Sequence, residues 1–159
     1  MKKPKFVTGE EAAAMIKDDS TIATIGMTLV SASETILKAI EKRFLETGSP
    51  NHLTLVHSCG QSDRDRGIQH FSHEEMLYRI IGGHWGLQPR MMKLISENKI
   101  LAYCIPQGQF AQLYRSMAGG EPGKITKVGL GTFIDPRIDG GKMNAITKRR
   151  TRYCRCCHN

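Results

Sequence analysis

The 159-residue chain is 40% hydrophobic, with 6% aromatic residues and 16 glycines, which is enough for one core and suits an α/β domain with many turns better than a helical bundle. Its net charge of +8 points first to nucleic acid, but Lys148, Arg149, Arg150, Arg152 and Arg155 crowd the last twelve residues with no acid among them, and removing them leaves +3. No window approaches the ~18 apolar residues of a membrane span, and the basic start Met1–Phe6 is not followed by the apolar stretch of a secretory signal. The expectation is a cytoplasmic protein that contacts neither membrane nor nucleic acid, with Cys59 and Cys104 as reduced thiols.

Thr8-Gly-Glu-Glu11 is a capping box that predicts a helix through Ala12–Lys17. Thr21–Ile25 is β-branched and reads as a buried strand ending at Gly26. Ser31-Ala-Ser-Glu34 is a second capping box, and Ile36, Leu37, Ile40 and Phe44 follow at helical spacing until Gly48 and Pro50 stop the helix. Leu53–His57 is the second strand, followed by the polar loop Ser58–Gly67. Ser72-His-Glu-Glu75 predicts a helix through Met76–Arg79, with Ile80-Ile81 a short apolar stretch before Gly82-Gly83. Pro89 suits a first helical position, and Met91, Met92, Leu94 and Ile95 form that helix's apolar stripe. Ile100–Ile105 is a further strand, Pro106-Gln-Gly108 a turn into a helix over Gln109–Met117, and Val128–Phe133 a glycine-rich strand or loop before the Gly140-Gly141 turn.

Strands alternating with helices of about ten residues predict a mostly parallel sheet covered by helices. In such sheets ligands bind beyond the carboxyl ends of the strands. The segments expected there are Gly26–Ser33, Ser58–Gly67, Gly82–Gln88, Pro106–Gln109 and Gly129–Arg137. Gly26-Met-Thr28 opens a strand-to-helix loop whose amides suit an anion, or it is a plain connection. Gln107 carries an amide able to donate to a carboxyl oxygen, or is an ordinary first-turn residue. Gly129 and Gly131 allow close backbone approach. Asp135 and Arg137 either face a ligand or pair locally to fix the loop. His84, beside the single tryptophan Trp85, could be an acid, base or ligand but reads rather as a structural histidine that hydrogen-bonds near a packed indole. Cys154-Arg-Cys-Cys-His158 offers soft metal ligands but not two separated pairs, so no metal is expected.

Six segments together resemble the propionate and acetate/acetoacetate CoA-transferases: Glu41-Lys-Arg-Phe-Leu-Glu-Thr-Gly48, Asp65-Arg-Gly67, Gly83-His-Trp-Gly86, Pro106-Gln-Gly108, Gly129-Leu-Gly-Thr-Phe-Ile-Asp-Pro-Arg137 and Gly140-Gly-Lys-Met-Asn144. The resemblance spans Val7 to Lys148. It implies a three-layer α/β/α domain over residues 1–147, covering the N-terminal part of an oligomeric enzyme. That enzyme class exchanges CoA between a short-chain acyl-CoA and a free carboxylic acid, with coenzyme A as substrate and no resident cofactor. The nucleophile is a glutamate that takes CoA as a thioester; by resemblance it lies in a C-terminal half outside this chain, so no catalytic residue is assigned. The resemblance implies Gln107 and Gly108 as oxyanion or substrate contacts, and Gly26, Met27, Thr28, Gly129, Gly131, Thr132 and Asp135 as lining of the same cleft. Relatives usually carry a further glycine and a proline in the first loop, where this chain has Leu29 and Ser33.

Residues 148–159 depart from the family. Read one base later, the tail's codons admit Glu-Glu-His-Asp-Ile-Val-Asp-Val-Val, which resembles the family's continuation. The expectation is a frameshift-derived, disordered tail on an enzyme portion inactive by itself and poorly soluble for want of its other half. Two other readings stand beside this one: a non-catalytic acyl-CoA-binding or subunit-pairing module, and a nucleic-acid or zinc binder acting through the tail.

Overall fold

A computed structural model describes residues 5–150. Helix α1 (Gly9–Ala14) opens on the expected cap: the Glu11 N–H donates to the Thr8 side chain, and the Thr8 N–H donates to the Glu11 carboxylate. It stops three residues before the expected Lys17. Strand β1 (Thr21–Thr24) and helix α2 (Glu34–Thr47) follow, and Gly48 closes α2 in the left-handed conformation. The remaining elements are β2 (Leu53–His57), a 3₁₀ turn (Gly67–Phe71), β3 (Leu77–Gly82), α3 (Pro89–Ser96), β4 (Leu101–Cys104), α4 (Gln107–Ala118) and α5 (Ala145–Arg150). Pro89 occupies the first turn of α3. The tail's first three residues, Lys148–Arg150, continue α5, and the rest of the tail lies outside the described residues.

The four strands form one parallel sheet in chain order, β1-β2-β3-β4. Each crossover therefore steps the same way, and right-handed connections put α2, the 3₁₀ turn and α3 on one face. Ile22, Leu55, Ile80 and Ala102 are register neighbours on that face. The last three are fully buried, among Ile40, Phe71, Trp85 and Met91. Their register neighbours on the other face, Ala23, Val56, Ile81 and Tyr103, are exposed or half-buried. Parallel sheets are normally covered on both faces; here one face is closed and the other half open.

The two edges also differ. Along β4, the Cys104 N–H donates to Gly141 O at 2.7 Å, the Met143 N–H to Ala102 O at 3.0 Å, and the Ala102 N–H to Thr147 Oγ1 at 2.9 Å. Asn144 secures this flank: buried, it donates through Nδ2 to Ile95 O and Ile100 O, both at 2.9 Å. Beyond β1 there is no further strand among the described residues. Thr21 and Ala23 are exposed, so β1 is an open edge and not the buried strand its β-branched residues predict.

Two other expectations are corrected and one open alternative is resolved. Met76–Arg79 is not helical: Leu77–Gly82 pairs between β2 and β4, and sheet pairing overrides the local cap pattern of Ser72–Glu75. The Ser31–Glu34 box does not form, because the helix begins at Glu34 and Ser33 makes no side-chain cap bond. Of the two alternatives for Val128–Phe133, strand or loop, the loop is the one formed. Cys59 and Cys104 are free thiols, as expected.

His57 closes the carboxyl end of β2. Its Nδ1 lies 2.8 Å from Cys59 O, and its Nε2 accepts the Trp85 indole N–H at 2.9 Å. Burial holds this imidazole neutral and lowers its pKa from 6.5 to about 4. A Cβ on Gly82 would stand 2.2 Å from His57 Nε2, so only glycine fits there.

The unfolded chain protonates His57 first, so its contribution is complete above about pH 6.5 and is lost as pH falls toward 4. The loss is up to roughly 3 kcal/mol. Urea unfolding at pH 7.5 and 4.5 should show this, and His57→Gln should lose less on acidification than the wild type. Asn144→Ala removes the side-chain donor shared by Ile95 O and Ile100 O, the first of which keeps the Asn98 N–H, and should cost about 2 kcal/mol in the same urea assay.

Candidate active-site cleft

Five segments meet at the carboxyl edge of the sheet. The first loop folds on itself through reciprocal Met27–Val30 backbone bonds of 3.3 and 2.9 Å. Gly26, at a φ of +147°, makes this possible: a Cβ would lie 2.6 Å from Val30 O and 2.9 Å from Gln61 Nε2. Gln61 is buried and accepts the Thr24 hydroxyl, which ties the first loop to the second. The third loop presses on the start of α4, since a Cβ on Gly83 would stand 3.3 Å from Gln107 Cα and 2.5 Å from Ser58 O. At the far end of α4's course, Tyr114 Oη donates toward Thr24 O and Val56 O at 3.4 and 3.3 Å. Burial raises the Tyr114 hydroxyl above its ordinary pKa.

A charged cluster sets the first two loops relative to each other. Glu34, the first residue of α2, accepts the Gly67 N–H at 3.0 Å and lies 2.9 Å from His70 Nε2. His70 Nδ1 is 2.5 Å from Glu41, whose other oxygen is 2.7 Å from His73 Nε2. Burial raises both carboxyls, but hydrogen bonds from His70, from Gly67 to Glu34 and from His73 to Glu41 outweigh it and leave both below the usual carboxylate range. Glu34 therefore serves the loop and turn across from it rather than its own helix cap.

An open cleft of about 360 Å³ lies between the start of α4 and the glycine-rich fifth segment. Pro106 and Gln109 border it on one side, Gly129 and Asp135 on the other. Pro106 is the α4 cap and makes no side-chain cap bond, so the first amides of the helix are left to other acceptors. The Asp135 carboxylate does not face a ligand. It accepts the Gly131 N–H at 2.8 Å, the Arg137 N–H at 2.9 Å, and Arg137 Nε and Nη2 at 3.0 and 2.6 Å. These bonds hold its pKa far below the usual carboxylate range. Of the two sequence readings, the local pair is the one formed.

Gly129 and Asp135 thus share a cleft, and Gln107, Gly108, Gly131 and Thr132 are exposed chain neighbours of its lining. Gly26, Met27 and Thr28 sit in the first loop and do not line it; Met27 is 59% exposed. The indole N–H is taken by His57, while the exposed His84 ring lies over Gly60 and Gly86. Ile105, Leu113, Lys124 and Thr126 also line the cleft and were missed. Helical spacing gives α4 but not which side of it meets a loop 15 residues farther on. Among the described residues, no group of His, Cys, Asp and Glu suits a metal ion, and no helix is long and apolar enough to cross a membrane.

Residues 6–152 match the Coenzyme A transferase family. The chain is 41% identical over 144 residues to the caffeate CoA-transferase of Acetobacterium woodii, and 37% identical to the acetate CoA-transferase YdiF of Escherichia coli K12. The matches cover 90% and 89% of this chain but 28% and 27% of those relatives. The crystal structure of the acyl-CoA transferase YdiF apoenzyme from E. coli O157:H7 superposes with a TM-score of 0.84 at 35% identity, over 92% of this chain and 30% of that one. Its thioester complex with CoA gives 0.82 at 36% identity, over 89% and 29%. The chain spans less than a third of these relatives, and its sequence and its parallel α/β sheet place it in the coenzyme A transferase family.

Proposed function

We propose that residues 1–147 form one wall of a cytoplasmic CoA-transferase active site, the N-terminal part of an enzyme whose catalytic glutamate belongs to a portion this chain does not contain. The observation that carries the reading is the state of the cleft's acid. Asp135 is the one carboxylate among the described lining residues, and four hydrogen bonds from Gly131 and Arg137 occupy it. This supports a nucleophile supplied from outside the described lining.

In the proposed reaction a glutamate carboxylate attacks the thioester carbonyl of a short-chain acyl-CoA. The C–S bond breaks, CoA thiolate leaves, and a mixed anhydride forms. The thiolate then attacks the glutamyl carbonyl, giving enzyme-bound glutamyl-CoA and releasing the acyl group as a carboxylate. A second carboxylic acid reverses these steps and leaves with CoA. CoA is substrate throughout and no resident cofactor is needed. Gln107, with Gly108 at the uncapped start of α4, would donate to the oxygen that gains charge. The loops at Gly26–Thr28 and Gly129–Thr132 would shape the rest of the wall with backbone amides.

The half-open sheet face and the open β1 edge support a second part of the reading. Both suit cover by the remainder of the enzyme or by another subunit, and Ile25, Met27 and Val30, each more than half exposed, extend this surface. The relatives' greater length agrees. A non-catalytic acyl-CoA-binding or subunit-pairing module would use the same surfaces but never turn over. Of the tail 148–159, which would carry nucleic-acid or zinc binding, residues 151–159 lie outside the described residues.

Purified 1–159 should transfer no CoA from acetyl-CoA or butyryl-CoA to a carboxylate, and adding the remaining portion of a homologous transferase should restore turnover. Turnover by 1–159 alone would contradict the reading; no turnover with the added portion would favour the binding module. In the restored enzyme, Gln107→Ala should lower kcat about a hundredfold with little change in KM.

A further inference from the structure

The cleft's walls are more apolar than acetate requires. Ile105, Leu113, Val128, Leu130 and Ile134 line it, and its volume is about 360 Å³. Sites that enclose a drug-sized ligand begin at roughly 300 Å³. A two-carbon acid would leave most of that wall against water, whereas each buried methylene of a longer tail adds to binding.

The polar lining is sparse and has one sign. Asp135 is neutralised by Arg137. Lys124 also lines the cleft and pairs with no acid among the described residues. Thr126 accepts the Val128 N–H at 3.1 Å through its hydroxyl oxygen, which leaves the O–H free to donate. An apolar slot with one ammonium and one hydroxyl donor at its margin complements an anion on an apolar tail.

We infer that this cleft is an acyl subsite selecting monocarboxylates with an apolar tail of about four or more carbons, or a single aromatic ring, over acetate, with Lys124 and Thr126 holding the carboxylate. This rests on the CoA-transferase reading and shifts its acid from acetate to longer or aromatic monocarboxylates.

The test is direct binding to purified 1–159, by calorimetry, of acetate, hexanoate, 3-phenylpropionate and hexan-1-ol. Hexanoate and 3-phenylpropionate should bind at least about tenfold more tightly than acetate. Lys124→Met, an exposed substitution, should weaken hexanoate about fivefold and leave hexan-1-ol unchanged. Leu113→Asp should abolish hexanoate binding, with circular dichroism confirming the fold. Equal affinity for acetate and hexanoate, no binding of any acid, or Lys124→Met acting on acid and alcohol alike would overturn the inference. So would loss of hexanoate binding on adding the remainder of a homologous transferase without turnover, since the cleft would then be a packing surface. Failure of the two readings is separable. Selective acid binding without restored transfer sinks only the enzymatic reading; restored transfer with no preference for longer acids sinks only this one.

Discussion

A histidine held between two carboxylates sets the geometry on which the cleft side of the molecule depends. His70 is 7% exposed, with Glu34 on one ring nitrogen and Glu41 on the other. Removing one member of this part-buried cluster takes hydrogen bonds from the others and costs roughly 1–3 kcal/mol. Its value is positional. Glu34 begins α2 directly after the first loop, and it also accepts the amide of Gly67 at the end of the second. Those loops are therefore set by the same side chains. His57 plays the matching part for the second and third loops, bridging the Cys59 carbonyl to the Trp85 indole.

With its loops fixed from behind, the front of the sheet is free to present backbone. Glycines occupy the points where chain meets chain: Gly26 against Val30, Gly83 against Ser58 and Gln107. The acids Asp135 and Glu34 near this edge are used internally, by Arg137 and His70. On the proposed reading, such a surface orients and polarises a carboxyl group, and the attacking acid is supplied by a second protein portion. The sheet agrees, with one face closed by α2 and α3 and the other half open, and with β4 flanked by residues 141–147 while β1 is not.

The elements legible in the sequence are those whose signals are local. Thr8 with Glu11, Gly48 and Pro89 do what their spacing predicts, because caps and proline act within one helical turn. β3 was hidden because Ser72–Glu75 carries a local helix-start pattern while its strand identity comes from partners on both sides. β1 has the composition of an interior strand but stands at an edge, and composition records no neighbours. At the candidate site, Gly129 and Asp135 were placed at the cleft by position after a strand and by family resemblance. His57 was missed because a histidine ending a strand carries no motif, and Lys124 because a glycine- and proline-rich stretch reads only as a helix stop. Both act across distances in sequence that no periodicity spans.

The most direct test of the proposed wall is amide chemical-shift mapping of ¹⁵N-labelled 1–159 with a non-reactive thioether analogue of butyryl-CoA. The account predicts shifts concentrated at Gly26–Thr28, Gln107–Gly108 and Gly129–Thr132, with the α1 and α5 amides unmoved. Shifts confined to the basic tail, or absent at Gln107 and Gly129 at saturating ligand, would contradict it.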